Sequence, residues 1–208
     1  MRGPLERLFP NLSRRWRTVI DWVLTLAVAV AIVLAVKSWV VNPYRIPSSS
    51  MEPTLHCARP ESGCEAGTSD RVLANRFIYH FRHPKRQEIV VFNPPSRAKL
   101  LCPGGGGVYV KRIIGVPGDR WVERNGYVYI DGNRLDEPYV QDARRDDQTK
   151  HLSDLLPGAT RIPKDDYLMM GDNRRQSCDS RTWGLVPRKN ILGEVFFTYW
   201  PLGRIATH

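Results

Sequence analysis

At 208 residues the chain is long enough for one domain of ordinary size and a short appendage, which excludes a pair of large domains. Its formal net charge of +10 indicates an anionic partner, either nucleic acid or the acidic lipids of a membrane surface. Charge alone does not decide between these partners, and the sequence contains no internal repeats.

The first predicted element is a membrane-spanning helix over residues 19–41, which are apolar apart from Asp21 and Lys37. About 20 apolar residues cross a bilayer, and a charge near either end can reach the interface. Trp22 and Trp39 stand near the two ends, where interfacial aromatic residues are common. The alternative is a cleaved secretory signal, but its apolar core would be only about 7 to 15 residues long. A retained anchor is therefore the prediction.

The orientation of this anchor follows from the arginines ahead of it, because short flanks rich in Arg and Lys stay cytoplasmic. Residues 1–18 are then a cytoplasmic tail and residues 42–208 an extracytoplasmic domain. We expect a single-pass protein of the cell membrane, with the lipid bilayer and its anionic lipids as a partner. The arginines of the tail are Arg2, Arg7, Arg14, Arg15 and Arg17.

Directly after the anchor, residues 47–55 read PSSSMEPTL. The prolines fix the φ angle and remove backbone donors, which predicts an extended, rigid segment that can hold a serine in one position. On composition alone, an ordinary linker rich in Ser and Pro explains this segment better than a catalytic site does.

The cysteines are compatible with an extracytoplasmic domain. Cys57 and Cys64 bracket a short loop, and a disulfide between them would form in an oxidising compartment. Two free thiols are the alternative. A metal site with His56 is disfavoured, because no second pair of ligands is spaced to complete a tetrahedron. No metal and no cofactor are predicted, and Cys102 and Cys178 have no obvious partner in the sequence.

From residue 42 onward, Gly and Pro punctuate short runs rich in Val, Ile, Tyr and Phe. This pattern is typical of a mostly β domain, so the fold class predicted is a mostly β catalytic domain tethered by one N-terminal transmembrane helix. The predicted strands cover residues 71–74, 88–92, 108–114, 120–123, 127–130, 167–170 and 193–200.

The middle of the domain is predicted to be a non-catalytic insertion over residues 121–166. Asn125 and Gly126 predict a β-hairpin within it, because both accept the positive φ angles of a tight turn. Residues 140–163 are polar and charged, which predicts a surface excursion. Acidic residues alternate with its Arg and Lys, and this argues against nucleic-acid binding. The glycines at 104–107 predict only a flexible loop tip.

Residues 109–119 read YVKRIIGVPGD. Strand alternation places Tyr109, Lys111 and Ile113 on one face and Arg112 on the other. Lys111 then shares its face with apolar residues, and desolvation can lower a lysine pKa from about 10.4 by several units. A pKa of roughly 8 requires about 3 kcal/mol, which burial can supply. The alternative is an edge-strand lysine that prevents aggregation.

A dense polar loop over residues 171–184 reads GDNRRQSCDSRTWG. Loops with so many hydrogen-bonding groups often form a rigid support for a site, and a solvated turn is the alternative. The histidines lie in charged or loop contexts, so no Ser-His-Asp or Cys-His arrangement is supported. A serine with a different base remains.

Taken together, PSSSMEPTL, YVKRIIGVPGD and GDNRRQSCDSRTWG resemble, in order and approximate spacing, the motifs of the bacterial type I signal peptidases. These are membrane-bound Ser/Lys proteases that remove signal peptides from exported proteins. The resemblance extends from the anchor through Trp200. The sequence departs from the family at Ser69-Asp70, where Gly-Asp is usual, and at Cys178, where a small residue is common.

The resemblance implies that Ser50 is the nucleophile and that Lys111 is the base that takes its proton. The hydroxyl of Ser48 would join the backbone N–H of Ser50 in an oxyanion hole. Ser177 would orient the lysine.

The resemblance also implies two structural ion pairs, Asp172 with Arg112 and Asp179 with Arg181. The expected substrates are preproteins that carry small residues at the cleavage site, in the pattern Ala-x-Ala, and bind as an added strand. The implied substrate pocket consists of Ile46, Pro47, Met51, Leu55, Tyr109 and Val110.

Three alternatives remain. A self-cleaving repressor protease uses a related Ser/Lys pair, but it carries a DNA-binding domain where this chain has its predicted anchor. A processing protease of a conjugation or pilus system would have the same chemistry and one dedicated substrate. A non-catalytic, membrane-tethered binding module would use the basic surface to hold acidic partners.

Overall fold

The computed structural model describes residues 13–39, 41–102 and 107–208 of a chain that divides into two units, Met1–Val40 and Val41–His208. In the first unit, helix α1 covers Arg14–Trp39. Within the described residues, no helix is both long enough and apolar enough to cross a membrane.

Parts of three predictions lie outside the described residues. These parts are Arg2 and Arg7 of the tail, Val40 of the predicted span, and residues 104–106 of the glycine run. The last residue of the predicted span, Val41, is described, but it begins a strand.

The second unit is mostly β, as the composition predicts. Three short α-helices accompany the strands in its described part: α2 covers Ser96–Leu101, α3 Leu152–Leu155 and α4 Ser180–Trp183. In chain order the strands are β1 Val41–Arg45, β2 Arg71–Asn75, β3 Ile89–Phe92, β4 Tyr109–Gly115, β5 Trp121–Arg124, β6 Tyr127–Ile130, β7 Asn133–Arg134, β8 Lys150–His151, β9 Asp166–Met170, β10 Val186–Pro187, β11 Ile191–Trp200 and β12 Ala206–Thr207.

The strands form two antiparallel sheets. The larger, 8-stranded sheet has the order β1-β2-β11-β3-β4-β9-β10, and β12 pairs with β11. The smaller, 4-stranded sheet has the order β7-β6-β5-β8. Strand β4 lies between β3 and β9 in the larger sheet, with Lys111 opposite Val90. An edge-strand position for Lys111 is therefore excluded.

Each strand predicted from the sequence is present, with its ends shifted by at most two residues. The hairpin between β5 and β6 turns at Asn125 and Gly126, whose φ angles are 49° and 75°. Strand β1 was not predicted. It contains Pro43 and pairs only with β2, which is the edge position that a proline tolerates.

The prediction that residues 140–163 form only a surface excursion is wrong. Lys150–His151 adds strand β8 to the smaller sheet. Leu152 and Ile162 are buried in its core. Charged residues surround Leu152 and Ile162 in the sequence. The apolar positions among them are too few to show the period of a strand or a helix.

Strand β4 is at the centre of the packing because it contributes to each of three apolar clusters. Ile113 packs with Phe92 and Trp183. Val110 packs against the cluster that contains Met51. Ile114 packs between the two sheets, in the cluster that also contains Trp121, Leu168 and Met170. Lys111 thus lies on a strand that is paired on both sides and packed into all three clusters.

Candidate active site

Ser50 and Lys111 meet although 61 positions separate them in the sequence. Ser50 lies in a 3₁₀ turn, Ser49–Met51, which follows Ser48 in extended conformation. Nζ of Lys111 donates a hydrogen bond to Oγ of Ser50, and the two residues are 4% and 6% exposed. Oγ of Ser48 lies 3.2 Å from Oγ of Ser50. The three side chains therefore form one continuous polar cluster.

Burial changes the acid–base properties of Lys111. Desolvation disfavours the ammonium form and lowers the pKa of Lys111 to about 8. Asp179 and Asp172 oppose this shift, and Arg181 adds to it. A substantial fraction of the amine is neutral just above neutral pH, so it can accept a proton from a hydroxyl.

The polar loop after β9 is attached to the segment that carries Ser50. The backbone N–H of Asn173 donates to the carbonyl oxygen of Ser50 at 3.1 Å, and its side-chain Nδ2 donates to the carbonyl oxygen of Ser49 at 3.1 Å. A side chain at Gly171 would collide with the carbonyl oxygen of Ser50 and with Oγ of Ser177. These contacts require a glycine at position 171 and an amide side chain at position 173.

Asp172 and Arg112 form a two-point ion pair behind the site. Nε and Nη2 of Arg112 donate to Oδ1 and Oδ2 of Asp172 at 2.9 and 2.6 Å. The hydroxyl of Thr54 donates to Oδ2 of the same carboxylate at 2.6 Å. Asp172 therefore joins strand β4 to the serine segment. Thr54 was not singled out from the sequence, because a threonine after a proline carries no signal of its own.

Asp179 and Arg181 form the second predicted pair. Nε and Nη2 of Arg181 donate to the two carboxylate oxygens of Asp179 at 2.9 and 2.8 Å, and the N–H of Gly171 donates to Oδ2 at 3.1 Å. Burial alone would raise the pKa of Asp179, but the Arg181 guanidinium holds it below its usual value. Asp179 thus provides a fixed negative charge within the loop that contacts Ser50.

Ser177, which the resemblance assigns to orienting the lysine, does not make that hydrogen bond in this structure. Its Oγ is buried and makes no hydrogen bond of ordinary geometry, but it interacts with the carboxylate of Asp179 and helps to lower the pKa of that group. The Nζ of Lys111 is bonded to Ser50 instead. The lone pairs of the Ser177 hydroxyl, next to Gly171, are therefore available to the site.

A groove of about 420 Å³ runs along the serine. Of the six predicted pocket residues, five line this groove, namely Ile46, Pro47, Met51, Tyr109 and Val110. The sixth, Leu55, is fully buried in the apolar cluster below the groove. The prediction that Leu55 lines the pocket is corrected accordingly, because its side chain supports Met51 from behind. The other lining residues are Tyr44, Arg45, Ser48, Ser49, Ser50, Glu61, Ser62, Cys102, Val108, Lys111, Gln176 and Cys178.

The four cysteines form two disulfides, of which Cys102–Cys178 borders the groove. Cys57 is bonded to Cys64, with Cα atoms 5.1 Å apart, and Cys102 is bonded to Cys178, with Cα atoms 5.9 Å apart. The second bond was not found from the sequence, because 76 positions separate its cysteines and no spacing rule connects them.

The cysteines beside His56 are thus not metal ligands here. One other group in the described chain brings potential ligand atoms within 4.8 Å of one another, and it consists of Glu52, His56 and Glu65. His56 is hydrogen-bonded to Glu52, whose other oxygen accepts from the backbone N–H of Cys57 at 3.1 Å. The buried carboxylate therefore has partners within the protein.

Comparisons with known proteins agree on one family. The family model described as signal peptidase, peptidase S26, matches residues 19–200. A probable signal peptidase I-2 of Synechocystis sp. is 37% identical over 182 residues, covering 88% of this chain and 73% of the relative. A signal peptidase I of Leptolyngbya laminosa is 33% identical over 188 residues, covering 90% and 83%. The solved structure of a signal peptidase I from Enterococcus faecalis V583 is 29% identical, covers 55% of this chain and 97% of that chain, and gives a TM-score of 0.45.

Proposed function

Because the chain belongs to the signal peptidase family, peptidase S26, we propose that it works with Ser50 as nucleophile and Lys111 as general base. The chain is a serine endopeptidase that removes signal peptides from preproteins. The observation that carries the assignment of the two residues is the buried hydrogen bond from Nζ of Lys111 to Oγ of Ser50.

In the first half of the reaction, neutral Lys111 takes the proton of the Ser50 hydroxyl as Oγ attacks the carbonyl carbon of the scissile peptide bond. The C–N bond then breaks, and the Lys111 ammonium gives its proton to the leaving amine. In the second half, Lys111 takes a proton from water, which attacks the acyl carbon. The ester bond breaks, and the proton returns to Oγ of Ser50.

The oxyanion is bound by two donors on the same segment. The backbone N–H of Ser50 and the hydroxyl of Ser48 face the developing negative charge. Support for Ser48 comes from its 3.2 Å distance to Oγ of Ser50, since a hydroxyl there needs only a rotation about its own bonds to reach the new oxygen. One such donor contributes on the order of 3 kcal/mol to the transition state.

Ser177 takes part during the cycle rather than in the resting state. When Lys111 becomes an ammonium it has more protons to donate than Ser50 can accept, and Oγ of Ser177, which accepts no hydrogen bond, supplies an acceptor. In this proposal Ser177 orients the lysine once it is charged.

The substrate binds in the groove as an extended strand. Tyr109 and Val110 belong to β4, and Ile46 follows β1, so the groove lies between two strand segments whose exposed backbone can pair with a peptide. Its apolar lining next to Ser50 suits small side chains, which is the basis for proposing cleavage after Ala-x-Ala.

We place the protein in the cell membrane as a single-pass protein, with residues 1–18 cytoplasmic, residues 19–41 as anchor and residues 42–208 extracytoplasmic. Support comes from the uncharged run 22–36, from the arginines ahead of it, and from the exposure of its apolar side chains. Trp22 and Leu26 are 73% and 66% exposed, which suits contact with lipid. The positive net charge favours anionic lipids.

The test is cleavage of a preprotein with an Ala-x-Ala site by purified full-length protein in detergent or vesicles. Ser50→Ala and Lys111→Ala should each abolish turnover while the circular dichroism spectrum stays that of the wild type. Full activity in Lys111→Ala would overturn the proposed mechanism. A non-catalytic binding module would leave the preprotein uncut by the wild type as well.

A further inference from the structure

Arg181 connects the catalytic loop, residues 171–184, to the smaller sheet through buried charged groups. Its Nη1 donates to Oε1 of Glu123 at 3.3 Å and also to Oδ2 of Asp146. Nζ of Lys150, opposite Glu123 in the sheet, donates to the backbone carbonyl of Arg181 at 2.9 Å. Arg181 is thus bound by residues of strand β5, of strand β8 and of the connection between β7 and β8.

The other end of Arg181 acts on the catalytic loop. Its Nε and Nη2 hold Asp179, which accepts the N–H of Gly171. Gly171 packs against the carbonyl oxygen of Ser50. A path of charge-assisted hydrogen bonds therefore runs from Glu123 to the N–H of Gly171, and Gly171 lies in close contact with the backbone of the nucleophile.

The burial of these groups makes the path energetically significant. The side chain of Glu123 is 0% exposed and that of Arg181 is 4% exposed, so solvent screens their interaction little. Arg181 and Asp179 carry opposite unit charges, and both act on the pKa of Lys111. Glu123 and Asp146 place two more carboxylates against the same guanidinium, so the group as a whole carries an excess of negative charge.

We infer that Glu123 and Asp146 are positioning residues for the Ser50–Lys111 pair, acting through Arg181 and Asp179, so that the smaller sheet sets the protonation of the catalytic base. This inference rests on the proposed function of Lys111. A structural ion pair alone would hold the two sheets together and leave the base unaffected.

The charged groups around Glu123 determine the sign of the effect. Removing its negative charge makes the potential at Lys111 more positive, so we expect the ammonium form to be disfavoured and the pKa of Lys111 to fall. Burial also raises the pKa of Glu123, to about 7, so part of this change occurs in the wild type at acid pH. The groups that face Glu123 are Arg181 on α4, Asp146 before β8, Arg174 in the 3₁₀ turn after β9, Asp179 before α4, and Lys150 on β8.

The experiment measures kcat/KM for a peptide substrate between pH 6 and 10, together with Tm, for full-length protein in detergent. Glu123→Gln keeps an acceptor for Arg181 but removes the charge, and we expect the ascending limb of the profile, where Lys111 loses its proton, to move to lower pH by on the order of half a unit. Asp146→Asn should move it in the same direction. Glu123→Asp keeps the charge and should leave the limb in place.

Asp119→Asn is the matched control, because Asp119 is also buried and also paired with an arginine, at 2.7 Å from Arg86, but it does not contact Arg181. It should lower Tm without moving the limb. The inference would be overturned if kcat/KM of Glu123→Gln and of Asp146→Asn rises at the same pH as kcat/KM of the wild type. Activity that survives Ser50→Ala would instead overturn the proposed function, so the two failures are distinguishable.

Discussion

The hydroxyl of Thr54 donates a 2.6 Å hydrogen bond to Oδ2 of Asp172, the carboxylate that also binds Arg112 at two points. This contact links the segment that carries Ser50 to the loop after β9 across 118 positions of sequence. The alignment of the nucleophile with its base therefore depends on a threonine that touches neither residue.

We expect Thr54→Val to destabilise the domain, because it leaves one oxygen of a buried carboxylate without this donor. A hydrogen bond to a charged group contributes roughly 1.5 to 3 kcal/mol. Urea unfolding should show a loss of that size, and kcat should fall with it. Thr54→Ser retains the hydroxyl and serves as the control. Equal stability of Thr54→Val and the wild type would contradict this role.

The activity of the wild type should rise with pH through about 8. Burial lowers the pKa of Lys111 to that value, and only the neutral amine can take the proton from Ser50. Because the group acts in its deprotonated form, kcat/KM increases tenfold per unit well below pH 8 and levels off above it. The measurement is kcat/KM with a short peptide, and a profile that is flat from pH 6 to 10 would exclude a lysine base of this kind.

Lys111→Met should be inactive but more stable than the wild type at pH 7. The pKa of Lys111 is about 8 in the folded protein and about 10.4 in an unfolded chain, so below pH 8 the fold bears the cost of a buried ammonium. That cost is about 3 kcal/mol. Between pH 8 and 10 the unfolded chain binds the additional proton, the wild type gains stability, and the difference narrows.

The measurement is urea unfolding of both proteins at pH 7 and pH 10. Lys99→Met is the matched control, because Lys99 is exposed on α2 and its substitution should give no difference that depends on pH. A Lys111→Met protein that is less stable than the wild type at pH 7 would show that the ammonium is not costly there.

Ser177→Ala separates a role in catalysis from a role in folding. Its Oγ makes no hydrogen bond of ordinary geometry in the resting structure, and Asp179, with which it interacts, is held at two points by Arg181, so removing the hydroxyl should change Tm little. In the proposed cycle the same change removes an acceptor for the charged lysine, and kcat should fall about tenfold. Unchanged kcat in a folded Ser177→Ala protein would remove Ser177 from the mechanism.

The local parts of this fold are readable from the sequence, and the long-range contacts are less so. Alternation and turn residues predict strands such as β4 and the hairpin at Asn125 and Gly126, because strand period and turn geometry are local properties. Strand β8 is missed because two residues, Lys150 and His151, are too few to show alternation, and the sheet supplies the pairing.

The candidate site shows the same division. Ser50 and Lys111 each belong to a motif that is recognisable in the sequence. Neither motif indicates that the two residues come into contact. The bonds that join them come from Asn173 and Thr54, whose side chains have no distinctive pattern along the chain. Contacts of this kind form between residues that are far apart in the sequence. No local periodicity of a single sequence predicts them.

The two disulfides should differ in what they contribute. In the chain-entropy model the stabilisation by a cross-link grows with the logarithm of the loop that it closes in the unfolded chain, and the sequence separations are 76 for Cys102–Cys178 and 7 for Cys57–Cys64. By loop entropy these bonds contribute roughly 4.5 and 2.5 kcal/mol.

Replacing each pair by alanines should therefore lower the urea midpoint more for Cys102 and Cys178 than for Cys57 and Cys64. The first pair should also lower kcat/KM, because both of its cysteines line the groove and Cys178 lies between Ser177 and Asp179. The second pair serves as the control for the loss of a disulfide as such. If the two double variants lose the same stability and the same activity, the position of the bond beside the catalytic loop has no consequence, and its effect is that of any cross-link.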